Sequence, residues 1–378
     1  MKLILLVLVA LCAPLGLAGH RLAAILTALH LQAGPSTAGL LMLFYGVTSV
    51  FFGMAAGRLV DRIGIRRPLI GSSVLCLAGT LLPYAFSSIA SLVVSALAVG
   101  TSFLVSGIAL SNAAAAIGTP EQRTANFGWF SAATAAGFAG GPLLAGLGID
   151  YLGHQGVFLL LALPAVLSLA LVLWLGRHLE VPQSEVRSAG ISVLDLLRDR
   201  TLRPSLSMVV LLPVSIEFFC FAVPLMGTQY GWSASTIGTI LGFSAGTALF
   251  LRLMMPVVLR YLGPWTIVSI SYFAAGGAFA LLPFSTLPPV VMLLAVFMGI
   301  GNGLGTPVLL SILYTASPPG RQGELMGLRS ALLNGLSGVV PMAAGSLSTL
   351  IGLGPILGAA GIGFFLGCRY AWRQRRGS

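Results

Sequence analysis

Charge is what this sequence has least of. Of its 378 residues only 8% are Asp, Glu, Lys or Arg, and nine are acidic. A soluble domain carries roughly 25% charged residues, so a water-exposed surface is excluded for most of the chain. Cysteine is scarce as well. Cys12, Cys76, Cys220 and Cys368 stand singly in apolar runs, with no Cys-x-x-Cys or Cys/His spacing. They read as small packing residues, and a disulfide framework or a zinc site is excluded. Metalloprotease and nucleotide-loop patterns are missing, as are paired intramembrane aspartates. These absences argue against an enzyme or an ATP-driven pump and imply no cofactor and no metal.

Apolar length is what the chain has instead. It is 57% hydrophobic with a mean hydropathy of +0.99, which marks a polytopic membrane protein. A net charge of +11 would suggest nucleic acid in a soluble chain. Here the basic residues gather in loops and ends, so they set membrane topology and imply no nucleic-acid partner. Lys2, the apolar run after it and Leu17-Ala18-Gly19 imitate a cleavable leader. The run continues through Leu31, too long for a signal core, and is kept as a span.

Twelve spans are expected: Leu3 to His30, Ser36 to Gly57, Pro68 to Phe86, Ala90 to Ala115, Asn126 to Leu147 and Gly156 to Leu175. After a polar link come Ser205 to Met226, Ala234 to Val258, Pro264 to Leu282, Pro289 to Leu313, Leu325 to Ser346 and Ile351 to Cys368. Each is about as long as ~30 Å of hydrocarbon requires. Of the twenty lysines and arginines, eighteen fall at the N-terminus, in or bordering the loops after even-numbered spans, or in the tail with Arg369, Arg373, Arg375 and Arg376. Arg21 and Arg252 alone are read as lying inside spans. Both termini are therefore expected in the cytoplasm of a cell whose inner membrane holds the chain.

The polar link separates six spans from six, giving bundles at 1–178 and 205–378 with a linker at 179–204. Within the linker, Ile191-Ser192-Val193-Leu194-Asp195-Leu196-Leu197-Arg198 has the spacing of an amphipathic helix lying on the membrane surface. The halves read as copies. A shift of 199 positions pairs Pro14 with Pro213, Ser36 with Ser235, Gly39 with Gly238, Gly100 with Gly299, Pro142 with Pro341 and Gly146 with Gly345. Two homologous six-helix bundles related by a pseudo-twofold axis are the expected all-α fold.

Between the second and third apolar runs lies Gly57-Arg58-Leu59-Val60-Asp61-Arg62-Ile63-Gly64-Ile65-Arg66-Arg67-Pro68, with five ionic side chains inside ten positions. This G-x-L-x-D-R-x-G pattern with its basic tail resembles the loop between helices 2 and 3 of the major facilitator superfamily. Gly57, Leu59, Asp61, Arg62 and Gly64 match, Arg66 and Arg67 form the tail, and Ile65 departs where the family more often begins its basic run. The resemblance implies a gating loop in which Asp61 caps a helix of the opposite bundle. In the second half the stretch degenerates: Gly57 becomes Pro256 and Asp61 becomes Arg260. The fifth span carries Gly137, Gly141, Pro142 and Gly146, similar to the family's antiporter motif with Ala145 in place of one glycine. Small residues at this spacing let helices meet backbone to backbone. Proton-coupled drug exporters of the family usually carry an arginine four residues before the fourth-span glycine; Ala96 stands there, before Gly100.

A charge near the bilayer centre costs about 2.5–3.5 kcal/mol even on the lenient insertion scale, so Arg21, Glu217 and Arg252 each need a partner or a wet cavity. Through the repeat, Arg21 is level with Cys220, and Glu217 lies three residues nearer the cytoplasm, about 4.5 Å along the helix. The resemblance implies that the first and seventh helices both line a central cavity, so these two form a candidate pair across it. Glu217 is the candidate proton site, with His20 a second titratable group, and Arg252 is an alternative charge partner. Substrate contacts are expected among Arg21, Tyr45, Asn112, Trp129, Asn302 and Asn334. The favoured function is a secondary transporter exporting a small organic solute with protons as the coupling ion, in a lipid bilayer, as a monomer. Proton-coupled uptake of an organic anion is the near alternative, and a receptor or intramembrane enzyme the remote one.

Overall fold

The computed structural model describes residues 2–117, 122–175, 202–315 and 322–375, and all regular structure among them is helical. The first four spans are Lys2–His30, Pro35–Ile63, Arg66–Ala85 and Ile89–Ala116. The fifth and sixth lie in one continuous element, Arg123–Leu175, which breaks at Gly153. The seventh is Leu202–Gln229. The eighth is Ala234–Leu253, extended past a break at Met254 by the short helix Met255–Tyr261. Pro264–Leu281, Pro288–Thr315, Gln322–Ile351 and Leu353–Arg375 complete the set. Among the described residues eleven helices are long and apolar enough to cross a membrane, and since one of them holds two spans, the expected twelve are present. Helices are required because hydrocarbon offers the backbone no other hydrogen-bond partner.

Local sequence sets the ends. Pro35 and Pro264 stand in the first helical turn, where a missing N–H costs nothing. Ser88 and Ser91 form a reciprocal capping box on the fourth span, and Ser233 Oγ accepts from Thr236 N at the start of the eighth. Gly153, at φ 76° and ψ 173°, reverses the chain between the fifth and sixth spans in a conformation that a side chain would strain.

Two boundaries differ from expectation. The charged stretch after Gly57 is not a loop: the second helix runs on to Ile63, and only Gly64 and Ile65 separate it from the third. The apolar register holds, since Val60 and Ile65 are buried while Asp61 and Arg62 are exposed. The eighth span ends its first helix at Leu253, because Pro256 cannot continue the backbone hydrogen-bond ladder. The amphipathic segment 191–198 lies outside the described residues.

The pseudo-twofold is written in the contacts. A Cβ added to Gly39 would stand 2.6 Å from the Pro341 carbonyl oxygen, and one added to Gly238 would collide with the carbonyl of Pro142. Likewise Gly345 meets the Pro35 carbonyl oxygen at 2.5 Å from such a Cβ, and Gly146 meets the carbonyl of Ala234. Within the halves, Gly100 abuts Tyr45 as Gly299 abuts Ser244. Every one of these pairs maps onto its mate by the 199-residue shift. The first two sets are seams between the bundles, second span on eleventh and eighth on fifth. Both lie at the face away from the two termini, and there the bundles touch backbone to backbone.

The fifth-span glycines serve two neighbours at once. Gly137 and Gly141 face the first span, where added Cβ atoms would lie 2.6 Å from the carbonyl oxygens of Leu11 and Leu15, while Gly146 faces the eighth. Phe51, Tyr151, Trp174 and Phe284 lie exposed on the outside of the bundles, where lipid replaces water as the solvent.

Candidate functional site

On the terminal side of the two seams the bundles part around a cavity of about 430 Å³, within the range of small-molecule sites. Its wall includes Arg21, Pro142, Glu217, Arg252, Asn302 and Arg329, drawn from both halves. Prolines shape it: Pro213 on the seventh span lines it four residues before Glu217 and removes one backbone hydrogen bond there.

Arg21 and Glu217 meet across it. Nη1 of Arg21 lies 2.7 Å from Oε2 of Glu217, with side chains 16% and 23% exposed. The same Glu217 oxygen has no directed hydrogen bond, so the contact is an ion pair approached off the N–H axis. The distance places opposite charges in contact at the edge of the cavity, against its apolar wall. Arg252, the alternative partner, lines the same cavity but does not pair with Glu217.

Behind Arg21 lies a buried polar chain. The guanidinium carbon sits 5.5 Å from the centre of the Tyr45 ring, a cation–π distance. Tyr45 Oη bonds His20 Nδ1, His20 Nε2 lies 2.6 Å from Ser95 Oγ, and Ser95 Oγ donates to the carbonyl oxygen of Gly79 at 2.6 Å. The protons follow from counting donors. Ser95 has one hydroxyl hydrogen and spends it on Gly79, so His20 Nε2–H must donate to Ser95. Nδ1 then carries the lone pair and accepts from Tyr45. His20, with no exposed surface, is thereby satisfied as the neutral imidazole, walled off from the cavity by Tyr45 and Arg21.

The remaining sequence-predicted contacts scatter. Asn302 lines the cavity, with Nδ2 3.4 Å from both Ser215 Oγ and the Met298 carbonyl oxygen. Asn112 turns instead to Asp61, donating to Oδ1 at 3.3 Å. Trp129 and Asn334 are exposed and lie off the cavity wall. Arg329, read from the sequence as bordering a loop, sits within the eleventh helix and lines the cavity with its Nε buried and unpartnered. Its place four residues inside the expected span Leu325 to Ser346 was the available signal.

In the gating stretch, Asp61 contacts its own bundle through Asn112, and Arg66 Nη2 donates to the Leu173 carbonyl oxygen at 3.2 Å. The acid that does cap a helix of the other bundle is one that sequence reasoning passed over. Asp150, at the far end of the fifth span, accepts from the backbone N–H of Ala234 at 3.1 Å and of Ser235 at 2.8 Å. Those are the first donors of the eighth span, which no residue within that helix can satisfy. The repeat held a hint, since the 199-residue shift maps Asp150 onto Thr349 and Ala234 onto Pro35: acid and donor occur in one copy only.

Comparison with known proteins agrees with this architecture. The Major Facilitator Superfamily description matches residues 6–341, and again 207–377. The chain is 28% identical over 329 residues to the class D tetracycline resistance protein of Salmonella ordonez, covering 80% of this chain and 77% of that one. It is 25% identical over 318 residues to the class B protein of Escherichia coli, with the same coverage. Among solved structures, the nucleoside transporter NupG superposes with a TM-score of 0.78 at 13% identity over 99% of both chains. A POT family transporter in complex with 5-aminolevulinic acid gives 0.80 at 16% identity, over 97% of this chain and 94% of that one.

Proposed function

The chain belongs to the Major Facilitator Superfamily, and from that premise we propose that this transporter exports a small organic solute in exchange for protons, with Glu217 the proton carrier. The observation that carries the reading is the Arg21–Glu217 ion pair, 2.7 Å across the interface of the two bundles. A carboxylate beside a guanidinium is held ionised, and the same carboxylate moved into an apolar wall takes up a proton. Rocking of one bundle against the other lengthens or shortens this contact, because its two members belong to different bundles. Pairing with Arg21 and proton carriage by Glu217 thus alternate with the face to which the cavity opens.

The bundles are residues 1–178 and 205–378, joined by the linker 179–204, and both termini face the cytoplasm of the cell membrane by the distribution of arginine. The seams at Gly39 and Gly238 then close the extracellular side, and the cavity faces the cytoplasm. Kinship with proteins named for tetracycline resistance supports export, and the monomer is a complete unit.

A second reading, proton-coupled uptake of an organic anion, is favoured by the three arginines on the cavity wall. The sign of linkage separates the two. A cargo that competes with the proton for the Glu217 carboxylate is exchanged for it, whereas an anion that takes Arg21 from Glu217 raises proton affinity and travels with it. The test is flux in proteoliposomes under an imposed pH gradient. Wild type concentrates cargo against its gradient, and Glu217→Gln retains downhill exchange but loses at least about tenfold of the uphill rate. Equal uphill transport by both removes Glu217 as the proton carrier.

A further inference from the structure

The cavity wall is mismatched in charge and in hydrogen-bonding capacity. Among the described residues three guanidinium groups line it, Arg21, Arg252 and Arg329, against the single carboxylate Glu217, which is engaged with Arg21. Arg252 and Arg329 are left without a described acidic neighbour inside a membrane, where an uncompensated charge is costly. Unpartnered guanidinium donors add to this. Arg21 Nε and Arg329 Nε are buried with no partner, beside Ser244 Oγ and Thr306 Oγ1, hydroxyls that can donate or accept. A guanidinium can only donate, and the one carboxylate oxygen left without a directed bond, Glu217 Oε2, already faces Arg21, so Arg252 and Arg329 call for acceptor oxygens from elsewhere.

We propose that the cargo is an amphipathic organic anion, its acidic oxygens held by Arg252 and Arg329 and its apolar body laid against Phe130, Phe138 and Leu333. The three apolar side chains share the lining with the two arginines. Depth keeps this contact apart from the proton site. Counted along their helices from the seam face, Glu217 is twelve residues in from Gln229, Arg252 eighteen from Ala234 and Arg329 twenty-two from Ile351, or about 18, 27 and 33 Å. An anion entering from the terminal face meets Arg329 and Arg252 before it reaches the Arg21–Glu217 pair. A cation meets the same two charges as a barrier, which makes the cavity selective by sign before shape is consulted.

The inference rests on the cavity being the cargo site of the transporter; because the anion is held by Arg252 and Arg329 rather than by Arg21, its binding does not itself set the sign of coupling at Glu217. It is tested by binding to the purified full chain in detergent, using three probes that share one naphthalene body: naphthoate, naphthylmethanol and naphthylmethylammonium. Equilibrium dialysis is expected to rank naphthoate at least about tenfold tighter than the ammonium. The double variant Arg252→Gln, Arg329→Gln should lose about tenfold or more of naphthoate affinity while naphthylmethanol changes by less than about twofold, and the Arg→Lys pair should keep part of the loss. Ammonium binding as tight as naphthoate, no naphthoate binding, or a folded double variant with unchanged naphthoate affinity each overturns the proposal. Should the double variant fail to fold, the wild type decides: naphthoate affinity must fall with added sodium chloride, and a flat response overturns the idea. Naphthoate that binds but does not cross proteoliposomes refutes the transport reading and leaves the anion site standing; naphthylmethylammonium exchanged for protons does the reverse.

Discussion

The two halves superpose in their backbone contacts and differ in the polar groups placed on them. Gly39 on Pro341 and Gly238 on Pro142 are one contact made twice, as are Gly345 on Pro35 and Gly146 on Ala234. At the second of these the copies part company. The fifth–eighth seam is latched by the Asp150 carboxylate on two backbone N–H groups. At the second–eleventh seam the acid is replaced by Thr349, whose hydroxyl donates to Ser346 in its own helix, and the first of the two receiving positions is Pro35, which has no N–H to offer. The bundle interiors diverge likewise. His20, Tyr45 and Ser95 form a polar chain in the first half, and the shift places Phe219, Ser244 and Leu294 there in the second. Close packing is shared because it is the fold; charge is unshared, since the shift places Cys220 at the position of Arg21 and Ala18 at that of Glu217, so the ion pair is made once.

The largest expected effect breaks what the halves share. Gly238→Leu drives a side chain into the Pro142 carbonyl, an overpacking cost of roughly 1–3 kcal/mol or more against the closed seam. Gly39→Leu should do the same at the other seam. Both should admit a membrane-impermeant thiol reagent from the face away from the termini, at rates raised about tenfold or more. If only one of them does, the seams are not equivalent gates.

The next prediction concerns what they do not share. His20→Phe installs the second half's residue and leaves the Tyr45 hydroxyl buried without an acceptor, a cost of about 1–3 kcal/mol that should lower the melting temperature. Adding Tyr45→Phe should recover part of that loss. A double variant as unstable as the sum of the two singles would mean that His20 and Tyr45 are not coupled. The smallest effect is at the latch. Asp150→Ala should favour opening of the fifth–eighth seam by about 1 kcal/mol, roughly fivefold in reagent access, whereas Thr349→Ala should stay within about 0.5 kcal/mol of wild type. Equal effects at the two positions would erase the asymmetry.

Much of this was legible in the chain. The twelve spans followed from apolar length, the repeat from a constant offset, and the Arg21–Glu217 pairing from the cost of intramembrane charge combined with that offset. The sequence was silent where a residue's neighbour lies far off along the chain. Asp150 caps the opposite bundle without a motif to announce it, because capping depends on which helix start a carboxylate reaches. Trp129 was singled out by type and lies on the outside; Arg329 was set aside as a loop charge and lines the cavity. One residue along a helix turns a side chain by about 100°, and composition does not say which way a helix faces once all its flanks are apolar.

The sequence by itself determined that this protein lives in a bilayer, crosses it twelve times and does so as two related halves, because hydrophobic length and periodic punctuation act locally along the chain. Beyond the Arg21–Glu217 pair, only the tertiary structure decided which polar groups meet. Hydrogen bonds and ion pairs need contact within about 3–4 Å, and in this chain that contact is made between helices brought together by glycines such as Gly100 against Tyr45 and Gly146 against Ala234.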